Sequence, residues 1–416
     1  MRLALFTNQF PFNTFLARDL SALLDAGFDV DVFPFYPEDQ DLWRFLPEEL
    51  DESRFPRDKV RHVSLRTSIL SLRPWPARKF GRFVRDTAAI EASAFRFGLS
   101  PIVKSAYVFP KAWAWSERFG NRYDHVFTYW GNYSATCAYL FHRLTNSTAP
   151  FSMWLHAGMD LYEDQVYLRQ KVLYADHIFL GCEFNREYLR NLYPDIYPVL
   201  APKIFMHHTS IDMQTFAYEP NGRLAHRILA VGGLEKYKGF DYLLRAAHEL
   251  SRRGVDVEVE LVGGGSQERA LKKLAAELSL SERVLFPGHL NSADVRRAMA
   301  RATMLVHPSP DIGDAVPTVI KEAMAVGAPV IGSDVAGIPE LLDWGRCGVV
   351  VPPADSHALA DAIERLLDDP ALRRSYAEAA RKHAEETFDL RRNGPRLAEF
   401  FASAGRRTHR GLVPSS

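Results

Sequence analysis

A chain of 416 residues is too long for one ordinary core, which sets an expectation of two domains. Its 47% hydrophobic and 25% charged content is that of a globular protein, and 51 basic side chains offset by 51 acidic ones exclude a whole-chain electrostatic grip on nucleic acid. Three cysteines (Cys137, Cys182, Cys347), far apart and without CxxC spacing, argue against a zinc framework or a disulfide scaffold and fit a reducing compartment.

The chain opens with RLALFTNQF, a short apolar strand. Its apolar run is too short for a signal-peptide core, and no later segment approaches ~20 apolar residues, so the expected location is the cytoplasm or the inner face of the cell membrane. TFLARDLSALLDAG follows as a helix with Phe15, Leu16, Leu20, Leu23 and Leu24 on one face and Gly27 closing it, and FDVDVFPF as a second strand. Residues 38–122 interrupt the pattern. Arg66, Arg73, Arg78, Lys79, Arg82 and Arg85 mix there with Trp75, Phe80, Phe83, Trp113 and Trp115, as a surface helical pair with aromatic core contacts or as a contact with an anionic membrane.

Alternation then resumes with strand HVFTYW, helix SATCAYLFHRL and strands FSMWLH and HIFLGCE. From residue 227 the opening plan recurs: RILAVGG as strand, EKYKG as loop, FDYLLRAAHELSRRG as helix and VDVEVELVGGG as strand. Strands alternating with helices imply a parallel sheet, and starting such a unit twice implies two nucleotide-binding-type α/β domains. The expected division is 1–205, 206–390 and a C-terminal helix from 391 that packs back on the first domain before a disordered tail.

Three clusters carry candidate chemistry. In GDAVPTVIKEAMAVG, Pro317 marks the first helical position and Gly327 the C-terminal cap. The unused first-turn amides of Thr318 and Val319 form a phosphate site, Glu322 lies one turn in, beside a ribose, and Asp314 lies outside, beside a sugar. The bland alternative is a loop acid and a solvated helix residue. In VGGLEKYKG, Lys238 can place its ammonium on a pyrophosphate or stand solvated in a loop; the GxxxxGK[ST] pattern is absent. In WLHAGMD, His156 ends a strand with Asp160 in the loop beyond. Asp29 and Asp31 have a metal-binding DxD spacing but read better as strand-entry polarity, and His207–His208 lack a third ligand, so no metal site is expected.

These motifs resemble the retaining GT-B glycosyltransferases of family 4, in particular polysaccharide-assembly members. The family's Glu-x7-Glu followed by EAMAxGxPVIxSxxxGxPE stands here as Asp314-x7-Glu322 and EAMAVGAPVIGSDVAGIPE; VGRLxxxKG stands as VGGLEKYKG, the glycine strand as LVGGG, and HGxD as HAGMD. FPFNTFLARDL resembles the FPxxSETF opening. The resemblance implies two Rossmann-like domains whose parallel sheets face across a cleft, and domain closure that completes the site.

It implies catalytic roles for His156, Lys238 and Asp314. Donor contacts are implied at Glu322, Thr318, Val319, Pro317, Val316, Gly233, Lys236, Gly263, Gly264, Asn13, Thr14 and Asp160, with Glu268 near the base. The implied reaction moves a hexosyl unit from a UDP- or GDP-sugar to a saccharide or lipid-linked acceptor with retention, without metal or other cofactor and without a nucleic-acid partner. Two positions depart from the pattern. The family's arginine is Gly233, and its first glutamate is Asp314, followed by Ala315 in place of glycine. They leave open a second expectation, a protein that binds nucleotide sugar or saccharide without turnover.

Overall fold

The computed structural model describes residues 1–10, 14–36, 50, 53–70, 77–163 and 165–407. The expected Asn13, Arg73 and Trp75 fall outside them.

The chain divides into two compact units, one of residues 1–181, 185–208 and 391–416, the other of 182–184 and 209–390. The first is built on a six-stranded sheet: β1 (Arg2–Thr7), β2 (Asp29–Pro34), β3 (His125–Thr128), β4 (Phe151–Leu155), β5 (His177–Leu180) and β6 (Ile204–Met206), in the order β2-β1-β3-β4-β5-β6. Every neighbouring pair is parallel. Because strand side chains alternate, β1 divides between two cores: Ala4 and Phe6 join Phe33, Trp115 and Phe141 on one face, Leu3 and Leu5 join Val30, Phe127 and Phe179 on the other. The helix Leu390–Arg407 closes that second face with fully buried Leu397 and Phe401.

The second unit repeats the plan with β7 (Arg227–Val231), β8 (Glu258–Val262), β9 (Val284–Gly288), β10 (Met304–His307), β11 (Val330–Ser333) and β12 (Val349–Val351), in the all-parallel order β12-β11-β10-β7-β8-β9. β8 is shorter than its apolar pattern suggested. It pairs with β7 only from Arg227 opposite Glu258, so Val255–Val257 have no neighbour to extend the ladder. The EKYKG loop contains one 3-10 turn, Lys236–Lys238.

The interruption after β2 is helical: Leu65–Leu70, Ala77–Ala94, a 3-10 turn Phe95–Phe97, and Leu99–Phe119. Trp113 and Trp115 are core residues. Trp115 is fully buried with its indole N–H on the Arg61 carbonyl at 2.8 Å, and Trp113 packs on Phe83 at 4.8 Å. The Asp29–Asp31 pair is held by cations: Asp31 is fully buried and accepts from Arg2, Arg61 and Tyr123, while Lys59 binds Asp29. Those carboxylates serve the fold.

Candidate active site

A parallel sheet opens a crevice where the strand order reverses, at the carboxyl ends of the two strands flanking the switch. In the second unit these are β7 and β10, since the chain runs β7-β8-β9 to one side and returns to β10 on the other. β7 therefore delivers Gly232 and the Lys236–Lys238 turn to the place where β10 delivers His307 and the loop bearing Asp314.

Glycine makes this approach feasible. Gly263, at φ +137°, would bring a Cβ to 2.0 Å from the Gly232 carbonyl oxygen, and Gly239, at φ +68°, one to 2.1 Å from that of Pro308. The Gly264 carbonyl accepts from the Leu234 amide at 3.0 Å, so Gly263 and Gly264 support the lysine turn from behind. The alkyl end of Lys238 lies over Gly232, where an added Cβ would stand 3.4 Å from Cε.

The Lys238 ammonium donates to Asp314 Oδ2, and His307 Nε2 is 2.9 Å from the same oxygen and 3.2 Å from Ser309 Oγ. Burial raises the Asp314 carboxyl, but the Lys238 charge and the His307 hydrogen bond outweigh it and hold the group well below the usual carboxylate range. Burial lowers His307 against the pull of Asp314, keeping its ring neutral at pH 7. An ionised carboxylate only accepts, so Nε2 carries the ring hydrogen. The arrangement is a lysine ammonium paired with an ionised carboxylate, to which a buried neutral imidazole donates as well.

Asp314 leads into the helix Thr318–Val326. Pro317 was expected as its first residue; it is the N-cap, at φ −65° and ψ 120°, where its missing N–H costs nothing and its carbonyl accepts from Ile320 at 3.2 Å. Gly327 ends the helix at φ +83°, as its position suggested. Thr318 and Val319 are half-buried first-turn residues, and Val316 packs against the core below them. Buried Ala315 accepts from the Gly337 amide at 3.0 Å, close to where a Gly337 Cβ would collide. Glu322 sits half-buried beside Lys321, which is fully buried and anchors the helix through the Thr209 carbonyl at 2.9 Å.

Gly233 is exposed and an added Cβ would meet nothing nearer than Glu235 Cγ at 3.7 Å; Lys236 is exposed at the start of the 3-10 turn that follows. Glu268 pairs with Lys272 at 2.6 Å on the next helix.

The other expected residues belong to the first unit. His156, just past β4, lies in an aromatic nest: Trp154 nearly parallel at 4.6 Å, Trp130 at 4.6 Å, Tyr129 at 5.2 Å and Phe15 at 5.5 Å. Thr14 begins the helix that carries Phe15. Asp160 was read as a ligand contact, and the geometry corrects this. It is buried and accepts from the amides of His156 and Ala157, each at 2.9 Å, and Gly131 at 3.2 Å, so its lone pairs hold the loop that presents His156. Burial raises Asp160 to about 6, against those hydrogen bonds.

Two partners escaped the sequence reading. His307 was read as part of a strand, although a histidine ending MLVH parallels His156 ending WLH. Lys171, buried on the Gly131 carbonyl at 2.7 Å and lowered by burial to about 7, carried no signal, because a lysine in a helix reads as solvated.

The structure aligns over 97% of the chain with the crystal structure of Anabaena Alr3699/HepE in complex with UDP, covering 100% of it at a TM-score of 0.68 and 16% identity. The chain has the GT-B fold: two α/β units on parallel sheets. Residues 225–383, within the second unit, match the family model of glycosyl transferases group 1. The alpha-D-kanosaminyltransferase of Streptomyces kanamyceticus is 34% identical over 43% of this chain and 46% of its own length. The GDP-mannose-dependent alpha-(1-6)-phosphatidylinositol monomannoside mannosyltransferase of Mycolicibacterium smegmatis is 31% identical over 48% and 56%. The chain spans about half the length of these curated relatives in the matched regions.

Proposed function

We propose that the protein moves a hexosyl unit from a nucleoside diphosphate sugar, UDP- or GDP-linked, to a saccharide or lipid-linked saccharide with retention of configuration, in the assembly of a surface polysaccharide or glycolipid. The observation that carries this reading is the Lys238–Asp314–His307 cluster at the switch point of the second sheet, leading directly into the N-terminus of the Thr318–Val326 helix.

A diphosphate brought to that helix end meets the amides of Thr318 and Val319 and the ammonium of Lys238. Lys238 exchanges the Asp314 carboxylate for the phosphate, which frees Asp314 to accept from a sugar hydroxyl. Glu322 accepts from the ribose. The same cation and amides stabilise the charge that grows on the leaving diphosphate, so no step calls for a metal. Retention follows if the acceptor attacks from the leaving-group face. The group 1 match, with relatives named as kanosaminyl and mannosyl transferases, supports the reaction class.

A panel of UDP- and GDP-sugars with saccharide acceptors tests this reading. Lys238→Ala and Glu322→Ala each lower transfer by about 10²–10³, and full activity persists in EDTA. Wild-type rates in both variants would remove the site assignment. Gly233, where the family has an arginine, motivates the second reading; saturable binding without transfer across the panel would assign the protein to binding without turnover.

A further inference from the structure

We infer that the helical pair 77–119 docks this protein on an anionic lipid surface, through an uncovered apolar stripe edged by arginine and lysine. The inference does not depend on the donor site.

The Ala77–Ala94 helix is apolar on two faces. Its inner face is covered: Phe83 packs on Trp113, Asp86 accepts from Arg143 at 2.6 Å, and Ile90 and Ala94 are fully buried. Phe80 and Val84, one turn apart, face solvent on the outer side, and the stripe continues through the turn into the next helix with Phe95, 77% exposed, Phe97, Leu99, 76% exposed, and Val103, 60% exposed. A helix usually turns its polar side to water, and scattered exposed residues need no explanation. A run continued across a helix, a turn and a second helix marks an interaction surface.

Charge selects the occupant. Residues 79–106 carry five basic side chains (Lys79, Arg82, Arg85, Arg96, Lys104) against two acids, of which Asp86 is buried on Arg143; Arg82 is tied inward to the Arg143 carbonyl at 3.2 Å and Lys104 lies over the Tyr133 ring, while Arg96 is exposed beside Phe95. The Arg85 side chain, next to Val84, is 73% exposed. A second copy of the chain would set this basic rim against itself, since a two-fold interface joins like patches. Anionic headgroups complement the rim while acyl chains cover the stripe. From Phe80 to Phe95 a helix runs about 22 Å, short of the ~30 Å hydrocarbon core, which suits lying on a bilayer. Among the described residues no helix is long and apolar enough to cross one.

The test is co-sedimentation of the full chain with phosphatidylglycerol-containing and pure phosphatidylcholine vesicles at low and high salt. The wild type binds the anionic vesicles at low salt and loses them as salt rises. Phe95→Ser with Leu99→Ser, and separately Arg85→Glu with Arg96→Glu, each lower the partition coefficient about tenfold. Thermal unfolding and nucleotide binding of both double variants stay at wild-type values, so failure of the donor reading does not change the vesicle result. No wild-type binding at low salt, unchanged binding in both double variants, or a wild-type dimer that the Phe95→Ser, Leu99→Ser variant dissolves would overturn the inference.

Discussion

Asp314 is where two separate sequence readings meet. Spacing assigned Lys238 to a phosphate and Asp314 to a sugar; the structure joins them in one ion pair with His307 as a second donor. In Asp314→Asn, nucleoside diphosphate affinity does not fall, because the variant removes a competitor for Lys238, while transfer falls about tenfold or more through the lost charge-assisted bond; calorimetry with initial rates separates the two. The pair also fixes an acid response. The folded carboxyl lies well below its ordinary value near 4, so its stabilisation is complete above that value and is lost only as pH falls through the lower, folded one. Urea unfolding of the wild type therefore shows an added loss of stability below about pH 4, absent in Asp314→Asn. At Gly233 the φ angle is ordinary and the surroundings are open. Gly233→Arg thus folds as the wild type does and tightens nucleoside diphosphate binding by about tenfold, the worth of one added charge-assisted hydrogen bond.

At the scale of elements, close backbone approaches hold the loops in register. Gly263→Ala would press a methyl into the Gly232 carbonyl at 2.0 Å from a φ of +137°. It lowers the melting temperature and weakens nucleotide binding together, whereas Gly254→Ala, also at positive φ but with open space around it, lowers stability while leaving binding intact. Asp160 plays the corresponding part in the first unit, tying the β4 loop to Gly131 through three amides. Asp160→Ala orphans those donors and costs about 3 kcal/mol, or ~6–12 °C in melting temperature for a unit of this size. Its linkage has the opposite sign to that of Asp314. A carboxyl raised to about 6 carries a penalty at neutral pH that is relieved as pH falls through 6 toward its ordinary value.

For the whole molecule, the passages near 208 and 390 make the C-terminal helix part of the first unit. Phe400 and Phe401 pack on Phe179 at 4.7 and 5.9 Å, with Phe401 and Leu397 fully buried. Ending the chain at Asp389 uncovers that face, and since burying each such side chain is worth about 1.5–3 kcal/mol, calorimetry should show the first unit's transition lost or shifted far down while the second unit's remains. A single unshifted transition would show that the helix contributes nothing to the first unit.

The sequence by itself determined the period of alternation, the two restarts of the strand–helix plan, the capping Gly327, and the candidate lysine and acids. These are local signals, written in side chains three, four or two residues apart. The tertiary structure alone decided that Lys238 and Asp314, 76 positions apart, share one contact, that His307 joins them, and that Asp160 is buried on three backbone amides. It also decided that Trp113 and Trp115 belong to the core while Phe95 and Leu99 do not. A helix with two apolar faces shows its periodicity in the sequence, but which face is covered depends on neighbours brought from distant parts of the chain.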